Sequence, residues 1–284
     1  MEKKSWNKDE DRINNLNRFF GNKYIDEINS FMVQRYQADR VKEVKGSTVN
    51  RELSIMKTIY NRFIDWGWAS VNPVKGIRFF KEDERNRYLN PEELRALLDA
   101  LELDYSKFPD HCDCVILAMT TGMRSESEIF SFKKAQVNWV TSQITLEETK
   151  SGKREIVRLN ETALNVIKRA FNRNKKGDHV FFNTKGRRLK RLGRWWYKLL
   201  KRVGIEDFRF HDLRHCFASY LSMSGANQFD LKEAMRHKSL SMTNRYVHLM
   251  PSHQDGVIKR LDGFLDNYID NQDSNSRKVV ALKR

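Results

Sequence analysis

Six side chains in this sequence are of the types that phosphoryl transfer uses: Arg124, Lys150, His211, Arg214, His237 and Tyr246. In such a reaction negative charge gathers on the non-bridging oxygens, and the planar fork of a guanidinium neutralises it with two hydrogen bonds at once. Histidines bind the phosphate or move protons near neutral pH. A lysine can protonate the departing oxygen, and a tyrosine becomes a nucleophile once cationic neighbours favour its phenolate. A lone tyrosine on a helix is ordinarily a core or surface residue. The combination with two arginines and two histidines is what selects the chemical reading.

The elements around these residues must bring them together. His211-Asp212-Leu213-Arg214-His215 opens a segment of helical period over about 211–224, ended by Gly225, and the three-residue spacing places His211 and Arg214 on one helix face. Arg124 follows the turn Thr120-Thr121-Gly122-Met123, behind a helix around 112–121. Gln143–Glu147 and Glu155–Leu159 alternate apolar and polar residues on either side of Thr149-Lys150-Ser151-Gly152-Lys153, which predicts a β-hairpin tipped by Lys150 and Lys153. Tyr246 falls on a short helix led by Ser239. Two further helices are expected at about 161–173 and about 188–203.

The first third reads as a small helical bundle. Helical spacing runs over about 7–20 and less regularly over about 26–44. In a third segment Ser47 or Thr48 can cap a stripe from Val49 to Ile64, which Gly67 and Asn72-Pro73 end. Residues 79–89 are a charge-dense connector, followed by a strong helix start: Asn90 as cap, Pro91 in the first position, Glu92 and Glu93 in the first turn. The expected organisation is a helical domain over 1–82, a linker over 83–89, a second domain over 90–270 and a tail over 271–284.

Charge says what such a chain meets. With 53 Lys and Arg against 37 Asp and Glu in 284 residues, the net charge is +16, which favours a polyanion as partner. Residues 1–85 carry 17 basic and 13 acidic groups, whereas 146–202 alone carry 18 and 5. Arg187, Arg188, Lys190 and Arg191 lie within that stretch, and with Lys153 they form the expected phosphate-contacting surface. No run approaches the roughly 18 apolar residues of a membrane span, so no membrane partner is expected. The N-terminus lacks the apolar core of a secretory signal. Cys112, Cys114 and Cys216 cannot build a disulfide framework, which fits a reducing cytoplasm. His211 with His215, and His111-Cys112-Asp113-Cys114, are ligand-rich, but neither completes a four-ligand spacing, and no metal is expected.

The stretch HDLRHCFASYLSMSGANQFDLKEAMRHKSLSMTNRYVHL, with His-x-x-Arg, His-Lys-Ser and Thr-x-x-Tyr-x-His in order, resembles the tyrosine recombinase (phage integrase) family. TTGMR and ETKSGK support the likeness, which runs from about 88 to 250 and more loosely back to residue 1. It implies a mostly α fold with a small antiparallel hairpin or sheet, in which a helical DNA-clamping domain precedes a mixed α/β catalytic domain. It implies that Arg124 and Arg214 clamp a scissile phosphate, that Tyr246 attacks it to give a 3′-phosphotyrosine, that Lys150 is the acid for the leaving 5′-hydroxyl, and that His211 and His237 bind phosphate and help move protons. Arginines would then do the work of a metal, so no cofactor is implied. The expected activity is site-specific recombination for integration or excision of a mobile element. The expected partners are double-stranded DNA, three further copies of the chain on two DNA sites, and DNA-bending accessory proteins, in the DNA-bearing cytoplasm. A type IB topoisomerase or telomere resolvase, or a catalytically silent DNA-binding regulator, are the alternatives. Many members carry an arm-binding domain ahead of the helical one, and here the sequence starts almost at the helical domain. Three departures stand out. Arg236 replaces the small residue common before the second histidine. Cys216 stands where Thr or Ser is common. The run after Arg124, Ser-Glu-Ser-Glu-Ile, is one residue longer than is usual, leaving Glu126 or Glu128 as the structural carboxylate.

Overall fold

The computed structural model describes residues 6–82, 85–146 and 154–250, and the chain divides into two compact units, Met1–Arg85 and Asn86–Arg284. The first unit is three helices, α1 (Trp6–Phe20), α2 (Ser30–Arg40) and α3 (Gly46–Asp65). Leu16 and Phe20 of α1, Val33 and Tyr36 of α2, and Val49, Leu53, Met56 and Tyr60 of α3 meet in one core. Helix α3 starts at Gly46, with Lys45 ahead of it and no side-chain cap, so neither Ser47 nor Thr48 serves. Asn50 holds the following segment by pairing with both the N–H (2.9 Å) and the carbonyl (2.8 Å) of Phe80.

The second unit is built around α5 (Pro109–Thr121), which is buried on nearly all sides. Helix α4 (Pro91–Asp104) packs against it and opens with the expected cap, Asn90, which forms a reciprocal capping box with Glu93. A three-stranded antiparallel sheet follows: β1 (Val137–Asn138), β2 (Gln143–Leu146) and β3 (Glu155–Arg158), in that order. The register pairs Ile144 with Val157, which sends both into the core. Then come α6 (Glu161–Arg173), α7 (Gly193–Arg202), α8 (Asp212–Met223), α9 (Gln228–Met235) and α10 (Asn244–Val247). Helices α6 and α8 both lie along α5. Among the described residues no helix is long and apolar enough to cross a membrane.

Two expected elements are shorter. The segment read over about 26–44 is α-helical only over Ser30–Arg40. The helix predicted from 188 begins at Gly193, and the basic run before it forms a turn. The Asn183 side chain accepts from the N–H groups of Lys185 (3.0 Å) and Arg187 (3.1 Å), while Leu189 N–H donates to the Phe181 carbonyl at 3.0 Å. An Asn side chain that offers the backbone such local bonds competes with helix formation, a competition invisible to hydrophobic period.

Candidate active site

Arg124 is placed by the end of α5. Gly122 closes that helix in a left-handed conformation (φ 60°), and a Cβ there would lie 2.5 Å from the Phe217 ring. Both facts require glycine. Beyond Arg124, residues Ser125–Ile129 form a π-helical turn, with Ile129 N–H bonded to the Arg124 carbonyl at 2.9 Å. A π turn absorbs one extra residue. It accounts for the long run after Arg124, and it brings Glu128 back onto that arginine. The buried Glu128 carboxylate accepts the Arg124 backbone N–H at 2.8 Å and also pairs with its guanidinium. Of the two candidate carboxylates, Glu128 makes these contacts.

Arg214, buried on α8, donates through one terminal nitrogen to the Gly122 carbonyl and through the other to the Met235 carbonyl. The two carbonyls come from the ends of α5 and α9, so three helices fix this guanidinium while the rest of its N–H fork stays available to an anion. Burial, followed by the charges of Arg236 and Arg124, pushes its pKa down from the usual arginine range.

His211 sits at the start of α8 and keeps solvent access. Crowding by protein around the ring, ahead of the Arg214 charge, lowers its pKa. His237 follows α9, and burial, reinforced by Arg214 and Arg124, pushes it down to about 4. Its Nδ1 is buried with no hydrogen-bond partner among the described residues. Orphaned buried polar atoms are rare in folded proteins, and each calls for a functional or structural reason. Tyr246 lies on α10, which follows a 3₁₀ turn at Leu240–Met242. Its ring is buried against Ala218, Leu231 and Met235, its carbonyl accepts from Ser222 Oγ at 2.8 Å, and its hydroxyl lies 2.6 Å from Nδ1 of His215. Burial, then His211, pushes His215 to about 4, so the ring is neutral at pH 7 and one of its nitrogens can accept a hydrogen bond.

Arg124, His211, Arg214, His237 and Tyr246 therefore gather around the ends of α5, α8 and α9. Lys150 and Lys153 fall within 147–153, outside the described residues. Arg187, Arg188, Lys190 and Arg191 are all exposed, on the turn before α7, and Arg188 also holds the Phe130 carbonyl at 2.9 Å. His248 is exposed as well.

Sequence reasoning missed two groups. His215 drew notice only as half of a metal pair, and its partner turns out to be Tyr246, 31 residues away. Arg236 was marked only as a departure. It ends α9 in a left-handed conformation (φ 53°), which costs a residue bearing a Cβ about 1–3 kcal/mol. Its buried guanidinium contacts Glu128 at 2.7 Å and Glu155 at 3.3 Å. An arginine where a small residue is common was the signal available. Elsewhere, Cys112, Cys114 and Cys216 are buried thiols, and Asp113 beside them is occupied by Arg169 and Arg173. Among the described residues no three His, Cys, Asp or Glu side chains converge to hold a metal ion.

Residues 87–253 match the model of the phage integrase family, and residues 1–81 that of the phage integrase N-terminal domain. The chain belongs to the phage integrase family. It is 31% identical to the integrase of Haemophilus phage HP1 over 221 residues, which cover 76% of this chain and 60% of that one. The fold is that of the Tn1549 transposon integrase solved with transposon right-end DNA, at a TM-score of 0.76 and 18% identity over 92% of this chain and 95% of that one. It is also that of the lambda integrase tetramer bound to a Holliday junction, at 0.67 and 16% over 84% and 73%. The chain spans about three-fifths of the length of the curated phage integrases it matches.

Proposed function

We propose that this phage integrase family member is a site-specific DNA recombinase that cuts and rejoins strands through a covalent bond to Tyr246, in integration or excision of a mobile element. The observation that carries the reading is the Tyr246 hydroxyl held 2.6 Å from a neutral His215, at the same helix ends that bury Arg214 and present Arg124. Arg124 and Arg214 bind the non-bridging oxygens of the scissile phosphate, and His211 and His237 complete its shell, with the orphan Nδ1 of His237 as one contact. The Tyr246 oxygen attacks phosphorus as its proton passes to His215. The bond from phosphorus to the 5′-oxygen breaks, and Lys150 supplies the proton to that oxygen. The 3′-phosphotyrosine keeps the bond energy, so a 5′-hydroxyl of another strand reverses the step and joins the new strand. Cationic side chains supply the charge, and the chemistry calls for no cofactor.

The substrate is duplex DNA, bound through exposed Arg187, Arg188, Lys190 and Arg191 and through Lys153. The working assembly is a homotetramer on two sites, assisted by DNA-bending proteins. The organisation proposed is a helical DNA-clamping domain over 1–82, a linker over 83–89, a catalytic domain over 90–270 and a tail over 271–284 that docks on a neighbouring protomer. The test is incubation with duplexes carrying the ends of the mobile element, followed by a denaturing gel. Wild type should give a covalent protein–DNA adduct. Tyr246→Phe should bind the same duplex and give none, and an adduct of undiminished yield from that variant overturns the assignment.

A further inference from the structure

Around Arg124 the charged groups close into a ring. Its guanidinium pairs with Glu128 on one side and lies 3.5 Å from Glu155 on the other. Glu128 reaches Arg236 at 2.7 Å, and Arg236 reaches Glu155 at 3.3 Å. Two guanidiniums and two carboxylates thus alternate, drawn from the π turn after α5, the start of β3 and the end of α9. The Arg236 side chain is only 5% exposed, against 27% for Arg124, so Arg124 is the member that can meet a ligand.

We infer that Arg236 is a positioning residue, which balances the charge of Glu128 and Glu155 so that Arg124 is held in place yet still presents its positive charge to the scissile phosphate. Without Arg236, Glu128 and Glu155 would lose a cation that they share, and more of their negative charge would fall on Arg124 and on an incoming phosphate. With it, cations and carboxylates alternate around Arg124, and Arg214, held by carbonyls rather than carboxylates, adds its charge to the site. The fork of the guanidinium matters. A terminal nitrogen of Arg236 donates to Glu128 at 2.7 Å, while its Nε lies at ion-pair distance from Glu155, 3.3 Å, without hydrogen-bond geometry. Arg236 takes up its left-handed φ at the position that lets one side chain meet both carboxylates.

The inference rests on the strand-transfer reading above, and the experiment separates the two. Single-turnover adduct formation is measured for wild type, R236G, R236M, and each of these combined with E155Q. R236G removes the charge and relaxes the left-handed backbone, whereas R236M keeps the stem and the backbone strain. Both should form adduct about 10- to 100-fold more slowly, with duplex affinity within about threefold of wild type. Adding E155Q removes one of the two carboxylates that Arg236 had served and should restore most of the rate in both. A packing defect would not be repaired by that change. Wild-type rates in R236G and R236M, or no rescue by E155Q, overturn the inference while leaving the role of Tyr246 intact. A second reading is independent of strand cleavage. Inorganic phosphate binding, followed by calorimetry, should weaken in R236G and R236M and recover with E155Q, and an unchanged affinity overturns the inference even if wild type forms no adduct.

Discussion

Two buried carboxylates, one in each unit, organise charge in opposite ways. Glu52 on α3 is fully buried, and its two oxygens accept from Asn15 (3.0 Å), Tyr36 (2.7 Å) and both Nε (3.2 Å) and Nη2 (3.1 Å) of Arg40. One anion meets one principal cation and neutral donors fill the rest. Burial, and then this carboxylate, drive the Tyr36 hydroxyl well above the usual tyrosine range. Around Glu128 the balance tilts the other way, with Arg124, Arg214 and Arg236 gathered against two carboxylates and His237 Nδ1 left unpaired among the described residues. A saturated cluster stabilises a fold and has nothing left to offer. A cluster with surplus cations and an orphan donor or acceptor is complementary to an anion.

The sharpest way to break this contrast is at the surplus. Arg214→Lys replaces a fork by a point charge that cannot hold the Gly122 and Met235 carbonyls and also face a phosphate. Single-turnover adduct formation should fall about 10²- to 10³-fold, with a much smaller change in urea unfolding. A rate near wild type would mean that Arg214 merely staples three helix ends. The opposite signature is expected of Glu52→Ala, which takes the acceptor from Asn15 and from the buried Tyr36 hydroxyl and leaves Arg40 with Glu43 alone. The first unit should lose about 2 kcal/mol in urea unfolding, and adduct formation at a temperature where that unit stays folded should change little.

Acid should separate the units next. All seven histidines lie at or beyond position 111, outside the first unit. His215 and His237 are pushed down to about 4, and His211 is lowered as well. Between the ordinary histidine value near 6.5 and about 4, the unfolded chain takes up protons that the folded one refuses, so stability falls as pH falls through that window. The unfolding midpoint of the second unit in urea should drop from pH 6.5 to 5, while that of the first holds. His237→Gln should make the drop shallower, and an unchanged slope would mean that His237 does not carry it.

The smallest effect is expected at the surface. Neutralising Arg187, Lys190 and Arg191 together should reduce the log–log salt slope of duplex binding by about 0.9 for each phosphate that these side chains had neutralised. An unchanged slope would make the turn before α7 a solvated surface.

Much of this was legible beforehand. Periodicity found α1, α6 and α8 almost to the residue, and the cap Asn90 with Glu93 announced α4, because caps and apolar stripes are local signals. The turn at 183–189 escaped because its cause is one Asn side chain bonding to nearby backbone, which leaves the apolar pattern unchanged. Five of the site's described members, Arg124, His211, Arg214, His237 and Tyr246, could be named from short motifs in the sequence. His215 could not be given its partner, and Arg236 looked like an irregularity.

Local spacing and composition account for the helical bundle, the hairpin strands, the excess of positive charge and the residue types that phosphoryl transfer needs. Which of those residues work together depends on contacts between distant parts of the chain. Glu128 reaches Arg124 across a π turn, Arg236 reaches Glu128 across 108 positions, and Tyr246 reaches His215 across 31. Whether a buried charge is balanced or in surplus depends on every group packed around it, and those groups come together only when distant helix ends fold into contact.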